Sequence, residues 1–112
     1  MAVIAVGEIY GIVGRDDELA ALLQRFEREA AVVPGCRRYV FAATLADPAT
    51  FLFVSEWSSH EALDAHYRST VFTNFQLDLD GLLARPSELT VYSTDEGIRP
   101  LDTRPMDPRD AD

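Results

Sequence analysis

The chain has 112 residues, a net charge of −9 and a hydrophobic content of 47%. A length of this order sets one domain as the expectation, with a core that is real but not ample. The acidic balance argues against nucleic acid and against anionic membrane surfaces, because both are bound through basic patches. All ten basic residues are Arg and none is Lys, which removes Schiff-base chemistry, since that needs a lysine amine. The single cysteine, Cys36, cannot close an internal disulfide. It opens an apparent strand with no Cys or His near it in sequence, and reads as a buried structural thiol rather than a nucleophile. The start, MAVIAVGEIY, lacks a basic n-region and a small-residue cleavage site, and no apolar run reaches membrane-spanning length. The expectation is a cytoplasmic protein.

Ala2 to Val13 is rich in Val and Ile and predicts a first strand. Ala2, Ile4, Val6, Glu8, Tyr10 and Ile12 share one face, and Val3, Ala5, Ile9 and Val13 the other, so both faces are largely apolar. Gly14-Arg15 is a turn, and Asp16 is the expected N-cap of a helix. Leu19, Leu22, Leu23, Phe26, Ala30 and Val33 form its apolar stripe, opposite a wet face that includes Arg25, Glu27 and Arg28. Pro34-Gly35 ends it. Cys36 to Thr44 and Thr50 to Trp57 predict a hairpin around the turn Ala46-Asp47-Pro48-Ala49.

Ser58-Ser59-His60-Glu61 fits a capping box and predicts a short helix carrying Leu63, His66 and Tyr67 on one face. Ser69 is a second N-cap, followed by Phe72, Phe75, Leu79, Leu82 and Leu83 at helical spacing. Arg85-Pro86 breaks that helix, and Ser87 to Ser93 alternates as a fourth strand. Residues 1–94 thus form one domain. Residues 95–112, with three prolines and six acids, are expected to be a disordered tail.

The order β-α-β-β-α(α)-β with right-handed crossovers predicts an α+β fold, a ferredoxin-like four-stranded antiparallel sheet with helices on one face. The strands are apolar on both faces, so the uncovered face would be too large an apolar patch for a monomer. A second copy, sheet against sheet about a two-fold axis, is the simplest cover, and a homodimer is expected.

PGCRRYVF, the turn ADPATF, then FVSEW, HEALDAH and STVFTNF, in that order and spacing, resemble the antibiotic biosynthesis monooxygenase (ABM) domain of the dimeric α+β barrel superfamily. The resemblance spans Val3 to about Tyr92. It implies oxygenation of phenols, anthrones or quinols by O2 with no flavin, haem or metal. The residues agree with that absence. There is no G-x-G-x-x-G. His60 and His66, spaced i, i+6, lie about 120° apart on a helix and cannot share one metal as an i, i+4 pair would. A haem-degrading branch has an Asn on the first strand and a Trp and a His on the helical segment. Here Glu8, His66 and Gln76 stand in those places, against that reading. A branch resembling quorum-signal isomerases also carries a His at the place of His66.

Under the oxygenase reading His66 is the catalytic base, since imidazole titrates near neutral pH. Tyr39, Tyr67 and Asn74 are candidates to hydrogen-bond a ring oxygen of the aromatic substrate. Trp57, Phe41, Phe53, Phe72 and Phe75 are candidate apolar walls. Glu56 either orients His66 or pairs with Arg37 or Arg38 across the hairpin. The competing readings keep His66 as a hydrogen-bonded core residue, or make the protein a small-metabolite isomerase or lyase, or a ligand-binding barrel without turnover. Glu8 in the apolar first strand either meets an Arg in a dimer or lines the pocket.

Overall fold

A computed structural model describes residues 1–105. The elements run β1 (Ala2–Tyr10), α1 (Asp16–Ala30), β2 (Cys36–Ala43), β3 (Thr50–Trp57), α2 (His60–Tyr67), α3 (Thr70–Asp80) and β4 (Glu88–Thr94). The strands form one sheet in the order β2-β3-β1-β4, antiparallel at every pair. This is the ferredoxin-like plan expected from the order of elements. Residues 95–105 form no helix or strand, and the rest of the expected tail lies outside the described residues.

β1 is central, and its alternation sorts the sheet. Val3, Ala5 and Ile9 are buried under the helices, with Phe51, Phe53, Ser55 and Trp57 of β3 beside them in register. The stripe Leu19, Leu22, Leu23, Phe26 and Ala30 of α1 is buried against them as its spacing requires. Phe26 stacks on Phe75 of α3 with ring centroids 3.8 Å apart.

Several local expectations shift by a residue or more. β1 stops at Tyr10 because Gly11 N–H donates to Ala49 O at 2.7 Å and Ile12 N–H to Leu82 O at 2.9 Å, which take the chain out of the sheet. Asp16 is the first helical residue of α1 rather than its cap; Arg15 stands at the N-cap with no side-chain cap bond. The cap of α2 is Ser59, not Ser58, and its hydroxyl accepts from Ala62 N–H at 3.1 Å. Ser58 N–H is spent on Gly35 O at 2.8 Å, tying the start of β2 to the end of β3. Gly35 has φ +84° and a Cβ there would strike Ala62, so this junction needs glycine.

A bulge between Cys36 and Arg38 resets β2. Without it Arg37 would share the inner face with Tyr39. The extra residue instead leaves Arg37 exposed and lets Cys36 and Tyr39 both turn inward. β2 is an edge strand, and Phe41 N–H donates to a Glu27 carboxylate oxygen at 2.8 Å, so a residue of the expected wet face of α1 reaches over to the sheet edge. At Gly7 the backbone of β4 comes so near that a Cβ would collide with the Glu88 carbonyl. The inner face is therefore thin there.

Candidate active site

The strand β3 ends by burying Trp57 completely, with its indole Nε1–H donating to Ser55 Oγ at 2.9 Å. The turn at Ser58-Ser59 then folds α2 back over the sheet. Leu63 and His66 fall on its buried face. Ser69 closes α2 by donating from its hydroxyl to His66 O at 2.6 Å, and opens α3 by accepting from Phe72 N–H at 3.1 Å. Two caps three turns apart thus fix where the His66 ring stands.

His66 is 2% exposed. Its ring is surrounded by Phe26, Tyr39, Trp57, Tyr67 and Phe72, with centroids 4.9–5.9 Å away. Its Nε2 lies 3.3 Å from the Tyr39 hydroxyl oxygen. No carboxylate is bonded to it, so nothing offsets the loss of water, and burial lowers its pKa from 6.5 to about 4. The imidazole is therefore neutral at pH 7, and the expectation of a group titrating near neutrality is corrected. Burial raises the Tyr39 phenol well above its ordinary value, and the neighbouring Tyr67 adds to this. Burial also raises Tyr67 to about 12. The Tyr67 hydroxyl is buried and has no hydrogen-bond partner.

A cavity of about 90 Å³ lies between the sheet and α3, with Tyr39, Phe41, Phe53, Tyr67, Phe72 and Phe75 in its wall. The thin inner face at Gly7 forms part of the same wall. The cavity shares Phe72, Phe75, Leu79, Ser87 and Leu89 with an outer groove of about 560 Å³ between α3 and β4. A dry cavity of about 150 Å³ holds benzene, so the inner space is tight even for one aromatic ring. A polycycle could lie only across cavity and groove together.

The structure brings Tyr39, Phe41, Phe53, Tyr67, Phe72 and Phe75 together in the cavity wall, packs His66 and Trp57 against them, and sets Asn74 and Glu56 apart. His66 does not line this cavity; Tyr39 stands in the wall with the imidazole beside it. The other exposure of His66 is to a second surface groove, shared with Glu29, Val33, Ala62 and Ser69. Trp57 is behind His66, packed against its ring. Asn74 is exposed on the side of α3 that faces Arg25 and Glu29 of α1, out of reach of the cavity. Glu56 is on the opposite face of the sheet, in register with Arg38 and Ile4, so it cannot orient His66. No ion pair within 4 Å joins it to Arg38. Strand parity puts Glu56 and Trp57 on opposite faces of the sheet.

At the mouth stand Glu8, Ser87 and Glu88. Glu8 and Glu88 are cross-strand partners, and the Tyr10 hydroxyl lies 2.8 Å from one carboxylate and 2.9 Å from the other. Arg85 covers the Tyr10 ring, its Cζ 3.8 Å from the centroid. The hydrogen bond to Glu8, with burial and Glu88 adding, raises Tyr10 to about 12. Glu8 borders the pocket with its side chain on the sheet face of Ile4 and Val6, and its partner within the chain is a tyrosine. Cys36 is partly buried; its thiol donates to Arg38 O at 3.5 Å, and burial raises its pKa, which leaves it protonated and unreactive.

A ferredoxin-like sheet with helices on one face and aromatic side chains packed between them defines a class of small α+β proteins. Within that class, the family described as Antibiotic biosynthesis monooxygenase matches residues 2–77, and the chain belongs to it. An uncharacterized Synechocystis protein, sll1783, is 31% identical over 94 residues, which are 84% of this chain and 64% of that protein. The chain thus spans less than two thirds of that relative. Rv0793 of Mycobacterium tuberculosis superposes with a TM-score of 0.77 at 23% identity, over 84% of this chain and 95% of that one. A Deinococcus radiodurans protein of the same family name gives 0.80 at 23% identity, over 88% and 98%. These likenesses establish the fold. Among the described residues no helix is long and apolar enough to cross a membrane.

Proposed function

We propose that this protein is a cofactor-independent monooxygenase that oxidises a phenolic or quinol-like aromatic with O2, working as a homodimer. The observation that carries the reading is the Tyr39 hydroxyl. It belongs to a residue in the wall of an apolar cavity, and it lies 3.3 Å from an imidazole that burial keeps neutral. In this scheme the substrate phenol gives its proton to Tyr39 as the Tyr39 proton passes to His66 Nε2. The phenolate then gives one electron to O2, and the radical pair combines at a ring carbon bearing hydrogen. The hydroperoxide takes back the proton and loses water, leaving a quinone. One ring C–H and one O–H are replaced by two carbonyls, and O2 supplies one carbonyl oxygen and the oxygen of the water. His66 acts through Tyr39, so it is a positioning and proton-holding residue.

Magnitudes restrict the substrate. An ordinary phenol has a pKa near 10, about 6 units above the imidazole, a gap of about 8 kcal/mol. An ion pair at about 5 Å with an effective dielectric of about 20 returns only about 3 kcal/mol. The reading therefore favours acidified phenols, such as hydroxyquinols or hydroxy ketones, over simple ones. The size of the inner space favours a single ring in the cavity, with any remainder in the outer groove.

Homodimerisation is supported by the uncovered face of the sheet. Val6, Leu52 and Tyr92 are 36%, 42% and 57% exposed there, beside half-buried Ile4, Val40 and Val54. The test is oxygen uptake with a panel of substituted hydroquinones and hydroxynaphthalenes. Wild type is expected to consume one O2 per quinone formed, faster as the phenol becomes more acidic. Tyr39→Phe and His66→Ala are each expected to lower the rate about 100-fold. Equal rates in wild type and both variants would remove the pair from the mechanism.

A further inference from the structure

We infer that the two copies of the proposed homodimer are registered by ion pairs across their uncovered sheet faces, Arg38 of each copy meeting Glu88 of the other, with Glu8 beside it. The inference rests on the homodimer reading and specifies how one copy fits the other. The face away from the helices is apolar at its centre, where Val6 and Val54 are cross-strand neighbours. It is charged at two opposite corners. Through β3 and β1, Arg38 is in line with Tyr92, and Ala42 is in line with Glu88. Arg38 and Glu88 are thus diagonal to one another, and Glu8 is the cross-strand partner of Glu88. Arg38, Glu8 and Glu88 are all exposed in the single copy. Among the described residues, no ion pair within 4 Å uses any of them. The acids are also short of a donor. The Tyr10 hydroxyl lies 2.8 Å from one carboxylate and 2.9 Å from the other, yet it has one proton and can serve only one of them. A second copy laid on this face without a cation at that corner would bury unmatched carboxylates, which is strongly unfavourable.

Symmetry decides which cation can arrive. Neighbouring strands are about 4.8 Å apart, and alternate residues about 6.8 Å apart along a strand. Arg38 and Glu88 are separated by the full width of the sheet and by two such steps along it, about 14 Å each way. The four corners therefore make a near square. A two-fold axis along the Ala42–Tyr92 diagonal exchanges the other two corners. It lays Arg38 over the partner's Glu88 and, by the same operation, Glu88 under the partner's Arg38. Val6 and Val54 meet their own copies near the axis. The strands of the two sheets then cross at near right angles, one of the two ways in which sheets pack. An axis along the strands would instead set Glu8 and Glu88 against the partner's Leu52 and Ala42, which offer no donor. An axis across the strands would set Arg38 against the partner's Ala42. Only the diagonal gives cation and acid to each other.

The experiment is sedimentation equilibrium of the full chain, with circular dichroism to show that each variant is folded. Wild type is expected to be a dimer, and Arg38→Gln to raise its dissociation constant about ten-fold or more. In the background Glu8→Gln/Glu88→Gln, which keeps the shape of both side chains and removes their charge, the same Arg38→Gln change is expected to matter less than about two-fold. Arg28→Gln makes the same change in net charge on the exposed side of α1, and is expected to leave the constant within about two-fold of wild type. No effect of Arg38→Gln, an equal loss in both backgrounds, or an equal loss in Arg28→Gln would each overturn the ion pair while leaving the dimer. A monomeric wild type would remove the dimer reading and the ion pair with it.

Discussion

Two tyrosines in this small protein hold their protons for opposite reasons. Tyr39 is in the chamber, buried among rings, with a neutral imidazole at 3.3 Å and no charge bonded to it. Tyr10 is at the rim, between the carboxylates of Glu8 and Glu88 and under the guanidinium of Arg85. Both phenols are raised, Tyr39 by loss of water and Tyr10 first by its hydrogen bond to the Glu8 carboxylate. A raised pKa alone therefore does not mark a functional site. What separates them is that Tyr39 joins a cavity to a second titratable group, whereas the partners of Tyr10 close on one another at the surface.

The chamber depends on its packing first, so the largest expected effect is on stability. Trp57 is fully buried and forms the back wall of His66. Trp57→Ala leaves a cavity the size of an indole and is expected to cost about 3–5 kcal/mol, measured as a fall in the urea midpoint. That is a large share of the stability of a domain this size. A change under about 1 kcal/mol would mean that the His66 ring is held by its neighbours without the indole.

The next effect is on acid stability and belongs to the chamber alone. The folded pKa of His66 is lowered to about 4 from 6.5. Between these values the unfolded chain takes up a proton that the folded one refuses. Stability is thus fully present above about pH 6.5, falls as pH falls toward 4, and flattens below, for a total loss of about 3 kcal/mol. Urea melts from pH 7.5 to 3.5 should show that slope in wild type, and His66→Gln should remove it. A slope that persists in the variant would place the titration elsewhere.

The chain shows how far pattern alone carries. The period of apolar residues in α1 and the composition of β1 and β3 marked the elements, because burial is what those patterns encode, and the order of elements with right-handed crossovers gave the ferredoxin-like plan. Ser69 was legible as a cap because a hydroxyl before a helix has little else to do. The bulge at Arg37 was not legible, since it depends on the register of β3 beside it. The reach of Glu27 to the edge amide of Phe41 was hidden for the same reason: it is a contact across elements, and side-chain length alone does not reveal it. His66 and its aromatic neighbours stood out as residue types. That Tyr39, and not His66, fronts the cavity depends on how α2 packs on the sheet, a relation between elements that no local pattern carries.

The smallest expected effect tests the rim. Tyr10→Phe removes a hydroxyl that water can replace at both carboxylates, while Arg85 still has a ring to cover. Stability at pH 7 is expected to change by less than about 0.5 kcal/mol, as for most surface substitutions, and oxygen uptake by less than about two-fold. The difference should appear only in alkali. Because the folded pKa of Tyr10 is raised to about 12, the unfolded chain gives up this proton first, and wild type loses stability at this residue as pH rises from 10 through 12 where the variant does not. Tyr39 and Tyr67 share that alkaline limb, so the variant should shorten it rather than abolish it. A Tyr10→Phe variant as inactive as Tyr39→Phe would show that the proton leaves the chamber through its mouth, past Glu8 and Glu88, and would move the catalytic path from the helical side of the sheet to its rim.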